Sequence, residues 1–262
     1  MGSDFYNYES RSARAWLRTR YPLRSTQRSN LDLLLFAEGR YFRALQLDEN
    51  EQNGGSKLFQ SEQIPDINDY PWASFWGAGL LWDNRDREIN TKNGTYGEIL
   101  VKGSPAFLSL KEPLLNVTMD LRAFYNIPAL GDLILAGRLG GEWMTGNAPF
   151  WLLPALGGED NLRGYHLRRF RDNCIFYNSL IARQWLVSFD WLNLRLGAQA
   201  ITEGGRTFGR YTTSDAGFFQ NHKRSFGGGL LISAFTQDFI VRADYVGSSE
   251  TRRIYLNLGY VF

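Results

Sequence analysis

Between Asn116 and Tyr125 the chain changes character at every step: Val117, Met119, Leu121, Ala123 and Tyr125 fall on odd positions, and Thr118, Asp120, Arg122 and Phe124 on even ones. A period of two is that of a β-strand whose faces meet different surroundings. The alternation recurs. Leu133, Leu135, Leu139 and Trp143 oppose Ala136, Arg138 and Glu142, and Leu192, Leu194, Leu196 and Ala198 oppose Asn193, Arg195 and Gln199. Phe239, Val241, Ala243 and Tyr245 oppose Arg242 and Asp244. Toward the start, Ala13, Ala15, Leu17 and Tyr21 face away from Arg14, Arg18 and Arg20, and Leu31, Leu33, Leu35 and Ala37 from Asp32, Glu38 and Arg40. Strands are predicted near residues 12–22, 30–43, 72–84, 95–103, 115–126, 131–144, 174–187, 190–202, 223–235, 238–247 and 252–262. Most are close to the roughly 9–11 residues of a tilted membrane strand.

Short links at 127–130, 188–189 and 236–237 alternate with long polar ones at 48–71, 145–173 and 203–222. This asymmetry predicts an all-β fold, a transmembrane antiparallel β-barrel of about 11–12 strands with tight periplasmic turns and long extracellular loops. Tyr21, Tyr41, Trp76, Trp82, Tyr125, Trp143, Tyr245, Tyr260 and Phe262 stand near strand ends, as interface girdles require. The competing expectation is a soluble antiparallel β-protein whose charged face is the wet one. An odd strand count conflicts with the even counts of bacterial barrels. Either a strand is unrecognised or the chain is a piece of a larger barrel, and Met1-Gly2-Ser3-Asp4, with no basic or apolar signal region, favours the piece. Residues 1–262 are read as a single barrel domain without periplasmic substrate-capturing domains.

Composition removes several function classes. No run of about 18 apolar residues exists, so no membrane-spanning helix is expected. Lys plus Arg number 29 against 27 Asp plus Glu, and a net charge of +2 is too balanced for a nucleic-acid partner. A lone Cys174 and only His166 and His222 leave no disulfide framework and no Cys/His metal cluster, so neither metal nor cofactor is expected. There is no Gly-x-Ser-x-Gly, and the carboxylate pairs Glu159/Asp160 and Asp83/Asp86 stand in a glycine-rich loop and a turn, so the chain is not expected to be an enzyme.

The run Leu156-Gly157-Gly158-Glu159-Asp160-Asn161-Leu162-Arg163-Gly164-Tyr165, followed by Arg168-Arg169-Phe170-Arg171-Asp172, is dense in charge and glycine. A phosphate-cradling turn is disfavoured because no Gly-Lys-Ser/Thr follows. Leu162-Arg163-Gly164-Tyr165 resembles instead the hydrophobic-Arg-Gly-aromatic motif in the sixth extracellular loop of the BamA/TamA-type outer-membrane assembly superfamily. Trp82-Asp83-Asn84-Arg85-Asp86 with Thr91-Lys92-Asn93-Gly94 resembles its Asp-x-Arg-Asp strand end and periplasmic Pro-x-x-Gly turn, with Thr91 in place of proline. Asp120-Leu121-Arg122-Ala123-Phe124-Tyr125 is similar to the strand two before the motif loop, and Asn257-Leu258-Gly259-Tyr260-Val261-Phe262 to the closing strand. The resemblance covers residues 72–262, the motifs standing in the family's order.

The resemblance implies part of a 16-stranded barrel, and a long loop folded into the lumen with its arginine on an acidic inner wall. Arg163 matches that arginine, and a guanidinium so placed needs a carboxylate. Glu203, near the family's Asp-x-Gly position and of inward parity, is the expected partner. The family's other wall acid falls at Ile181, with Asp160, Asp172 and Asp244 as candidate substitutes. Gly259 matches the glycine that weakens the last strand's pairing, and Tyr260 and Phe262 the C-terminal assembly signal. The implied function is a barrel of the bacterial cell outer membrane that assists insertion and folding of β-barrel proteins at that seam. Two alternatives stay open: a two-partner-secretion translocation pore lined by Arg14, Arg18, Arg40, Lys102, Arg138 and Arg195, and an anchor for a separate surface domain. Implied partners are the lipid bilayer and lipopolysaccharide, unfolded outer-membrane or secreted proteins, and periplasmic or lipoprotein accessory subunits.

Overall fold

The computed structural model describes residues 9–45, 70–106, 112–212, 221–235 and 239–259. The first six strands are β1 (Glu9–Ser25), β2 (Asn30–Leu45), β3 (Trp72–Asp83), β4 (Gly94–Ser104), β5 (Leu114–Ile127) and β6 (Leu133–Met144). Two short strands follow, β7 (Ala155–Leu156) and β8 (Phe170–Arg171). The last five are β9 (Cys174–Phe189), β10 (Leu194–Phe208), β11 (Lys223–Ala234), β12 (Ile240–Ser248) and β13 (Arg252–Leu258). β7 pairs only with β8, while the others form an 11-stranded sheet in chain order, every pair antiparallel. Among the described residues no helix is long and apolar enough to cross a membrane.

The alternating pattern becomes a wall with two unlike faces. Leu35, Trp76, Leu80, Leu121, Tyr125, Leu139, Trp143 and Leu230 point outward and are largely exposed, with no second layer over them among the described residues. Inward-pointing positions hold the buried residues and the described strand carboxylates with the arginines that pair with them. Arg18 on β1 reaches Glu98 on β4 at 2.8 Å, although strands three apart in a flat sheet stand about 14 Å from one another. The wall therefore curls around its polar face. Inside, Arg122 and Arg138 both fork onto Asp120, at 2.6 and 2.8 Å, and Arg14 and Arg40 share Glu38. Such pairing is what makes charge tolerable on a concave wall.

Three expectations are corrected. Residues 145–173, read as a long polar link, are substantially apolar and buried: Trp151, Leu152, Leu153, Leu156, Leu162 and Tyr165 fill the interior. Phe150–Leu152 is a 3-10 turn packed with Phe42, Phe75, Leu114 and Met144, and β7 and β8 pin the segment's two arms together. The second correction concerns β10, which runs to Phe208, past the predicted end at 202, because its ladder with β9 continues to Phe208↔Cys174. Residues 190–192 form a 3-10 turn before it rather than its first residues. Finally, β1 extends beyond 12–22 at both ends, since its ladder with β2 holds from Glu9↔Leu45 to Ser25↔Asn30. Tyr260 and Phe262 lie outside the described residues.

The outward face yields a test. Leu121→Arg is expected to cost about 2–4 kcal/mol of folding free energy in bilayers, the cost of arginine near the hydrocarbon midplane. Thr118→Arg, on the opposite face of β5 beside Asp120 and Glu142, should cost much less. Urea titration of heat-modifiable gel mobility measures both, and equal costs would contradict a lipid-facing exterior.

Candidate functional site

The site is the tip of the 145–173 loop against the inner faces of β10 to β13. Gly157 N–H donates to Asn161 Oδ1 at 2.8 Å and Asn161 Nδ2 to the Ala155 carbonyl at 2.9 Å. Gly158 and Leu162 exchange backbone hydrogen bonds at 3.0 and 3.2 Å. Gly157 and Gly158, at φ 117° and 101°, complete a closed tip. Leu162 and Tyr165 then sink into a cluster with Leu156 and Ile175, and the Tyr165 ring meets Phe170 edge-on at 5.3 Å. These apolar anchors on both sides hold Arg163 against the wall.

Arg163 is fully buried. Its Nε and Nη2 donate to Glu203 Oε1 at 2.8 and 2.6 Å, its backbone N–H donates to Glu203 Oε2 at 2.7 Å, and its Nη1 donates to Asp244 Oδ2 at 2.9 Å. Glu203 and Asp244 are themselves 3% and 0% exposed, so solvent screens none of this charge. Further groups complete the cluster: Gln199 Nε2 donates to Asp244 Oδ1, Arg242 Nε lies 3.2 Å from Asp244, and Ser225 Oγ approaches Glu203 at 3.4 Å. Charge-assisted hydrogen bonds shared by a planar fork fix direction as well as energy.

Gly164 follows at φ 83°, where a Cβ would come within 3.1–3.3 Å of Gly247, Ser248 and Ser225. Only glycine suits both the backbone angle and the close approach. Its N–H donates to Tyr255 Oη at 3.1 Å and its carbonyl accepts from Ser248 Oγ at 2.6 Å. The loop holds β13 at successive inward positions: Arg253 meets His166, Tyr255 meets Gly164, and Asn257 meets Glu159, which also pairs with Arg242 at 3.0 Å. Gly259, just past β13, has φ 79°.

Of the candidate substitutes for the second wall acid, Asp244 alone joins Arg163. Asp160 offers only its backbone carbonyl, to Arg138 at 2.8 Å. Asp172 is buried elsewhere, accepting the N–H groups of Asn173 and Tyr211. Ile181 packs with Phe124, Ala136, Ile201 and Val246. Sequence reasoning passed over Tyr255 as a loop partner and noted Arg242 and Gln199 only as inward-facing; their shared inward parity was the available signal.

The turn motif lies at the opposite end of the wall and does not meet the loop tip. Arg85 forks onto Asp83 at 2.9 and 2.7 Å and stacks over the Tyr96 ring at 4.9 Å; the hydrogen bond to Asp83 raises the guanidinium pKa further. Asp86 Oδ1 accepts the Lys92 N–H at 3.0 Å, and Gly94, at φ 120°, closes against Arg85. Beneath the lumen, buried Arg183 donates to the Thr91 carbonyl, so this turn is tucked inward. His222, half-buried, is pushed below its ordinary pKa by burial and then by Arg224 and Arg206. Among the described residues no three His, Cys, Asp or Glu are grouped to hold a metal ion.

The geometry is that of an inward-folded loop fastened to a curled antiparallel wall, and a solved structure shares the overall fold. The crystal structure of BamA from Haemophilus ducreyi lacking POTRA domains 1-3 superposes with a TM-score of 0.63 at 13% identity, covering 97% of this chain and 54% of that one. This chain thus spans about half the length of that structure. Comparison with curated proteins finds no match. The family model described as the Omp85 superfamily domain matches residues 3–229. With most of its length matched and its strands folded into a wall of the same kind, the chain belongs to the Omp85 superfamily.

Proposed function

We propose that this chain is an integral barrel of the bacterial outer membrane that assists insertion and folding of other β-barrel proteins at a weakened seam beside β13. The observation that carries the reading is the end of β13. Regular pairing with β12 stops at Leu258↔Val241, and at Gly259, whose N–H still donates to the Ile240 carbonyl at 2.7 Å, the backbone takes a left-handed φ of 79°. A Cβ there would meet nothing within 4 Å, so the glycine answers to backbone conformation alone; for any other residue a left-handed φ costs about 1–2 kcal/mol. Among the described residues β13 pairs only with β12, and a strand that ends in a left-handed glycine with its other edge unpaired offers backbone groups on which a client strand can add. The loop contacts to Arg253, Tyr255 and Asn257 then keep the rest of β13 in place while its end opens. Unfolded outer-membrane proteins are the clients, and periplasmic or lipoprotein subunits would deliver them.

Gly259→Ala favours an extended, paired end and is expected to slow client insertion several-fold while leaving barrel stability within about 1–2 kcal/mol. The measurement is the folding rate of an unfolded barrel client into vesicles carrying the reconstituted protein; an unchanged rate would remove the seam from the mechanism. A translocation pore is the second reading. It is favoured by a polar cavity of about 240 Å³ between the loop and β4–β6, lined by Glu98, Asp120, Glu142, Asn161 and Tyr177.

A further inference from the structure

The arginines of this chain fall into two populations. Inside the wall, Arg14, Arg18, Arg40, Arg122, Arg138 and Arg242 each reach a carboxylate. On the outward face, Arg11, Arg43, Arg224 and Arg252 are exposed, and none has an ion-pair partner among the described residues. Every strand carboxylate whose side chain is described points inward, so among the described residues no strand carboxylate on the outer surface compensates them. These four stand at the end of the wall that bears the long loops, while a fifth outward arginine, Arg24, opposite Leu31, stands at the other end.

Arg11 lies directly opposite Arg43 in the β1–β2 ladder. Like charges in that position repel, and the repulsion becomes attraction to an anion placed between them. One outward row deeper, Ala13 faces Tyr41, whose ring lies 4.6 Å from that of outward-facing Trp72. Aromatics of this kind mark the depth where hydrocarbon gives way to headgroups. The pattern repeats near the other end of the sheet. Arg252 stands opposite Gly247, which has no side chain to cover, and Arg224 is two residues from Phe226 on the same face. Phe226, level with Arg252 and one outward row deeper than Arg224, and Tyr245, one row deeper than Arg252, are 61% and 53% exposed and form the aromatic shelf.

We infer that Arg11 and Arg43 together bind a phosphate of an anionic membrane lipid in the leaflet beside the long loops, and that Arg224 and Arg252 form a second such site. Guanidinium forks match phosphate oxygens in pairs. The aromatic shelves select a lipid over free phosphate, because they take up acyl chain directly beneath the headgroup. This rests on the membrane-spanning reading of the wall proposed above.

The test folds the full chain and two variants, Arg11→Gln/Arg43→Gln and Arg224→Gln/Arg252→Gln, into phosphatidylcholine vesicles. Far-UV circular dichroism and heat-modifiable mobility report insertion first; a wild-type chain that stays out of the bilayer defeats the membrane reading itself. Inserted protein is then titrated with vesicle-borne diphosphorylated lipid A, the same glycolipid stripped of phosphate, and inorganic phosphate, following the thermal midpoint. The wild-type chain should be stabilised by the phosphorylated lipid, with apparent affinity about thirtyfold weaker in Arg11→Gln/Arg43→Gln, as loss of two cations at about 1 kcal/mol each implies. If that variant does not insert, Arg43→Gln carries the same comparison. Equal response to the dephosphorylated glycolipid, or unchanged affinity in the variants, overturns the sites. Full protection by inorganic phosphate overturns the lipid as their occupant.

Discussion

Arg163→Ala is expected to lower the unfolding free energy by about 3–5 kcal/mol, the cost of breaking a buried ion pair from one side. The loss comes from what stays behind. Glu203 and Asp244 remain buried, the backbone N–H of residue 163 still serves Glu203, and Arg242 alone is left to offset two carboxylates. Water cannot reach them without displacing Leu162 and Tyr165. Arg163→Lys keeps the charge but not the fork; one ammonium cannot reproduce the hydrogen bonds to both acids, so an intermediate loss is expected. Arg163→Met combined with Glu203→Gln should recover part of the loss, because it removes the uncompensated charge along with its partner. The urea midpoint of heat-modifiable mobility measures stability, and protease cleavage within 145–173 reports whether the loop has left the wall. A loss below about 1 kcal/mol would put the cluster in the range of exposed ion pairs and remove it as a fastening.

Strand positions were legible because a two-residue period survives in single segments. Asn116 to Tyr125 reads as β5 without reference to any neighbour, and its outward and inward sets are those of the structure. Glu203 was legible as inward-facing by the parity of Arg195 and Gln199. Choosing Asp244 over Asp160 and Asp172 was not possible from local pattern. It depends on how far β12 is staggered against β10 across β11, through Glu203↔Ser225 and Gly229↔Asp244, and stagger is a property of the whole sheet. Gly204-Gly205 falls in the link predicted at 203–222, yet β10 continues through it, because ladders with β9 and β11 outweigh the low strand preference of glycine. The run Phe150-Trp151-Leu152-Leu153 was visible but carried no periodicity. A loop that packs as a core has no strand or helix signature; its apolar composition and the resemblance carried by Leu162-Arg163-Gly164-Tyr165 were the signals that it is buried.

Trp151→Ala should cost about 3–5 kcal/mol, the usual range for deleting a buried tryptophan, and should open the interior to ions. The indole is 8% exposed and stacks on Phe42 with centroids 5.5 Å apart and planes 8° from parallel. That contact ties the loop to β2, on the side of the wall opposite the Arg163 cluster, so the loop spans the lumen between two separate fastenings. Releasing the apolar one leaves Arg163 seated on β10 and β12 while the arm around residue 150 swings free. Single-channel recordings in planar bilayers should then show raised conductance for Trp151→Ala, whereas Arg163→Ala should act mainly on stability and loop cleavage. Trp151→Phe separates packing from polarity. It keeps a ring against Phe42 and discards an indole N–H that has no hydrogen-bond partner among the described residues, a burial that costs about 1–3 kcal/mol. The lost volume and the relieved N–H act in opposite directions, so Trp151→Phe should stay near wild-type stability and conductance. Equal damage from Phe and Ala would mean that the indole nitrogen, and not the stacked ring, holds the loop across the lumen.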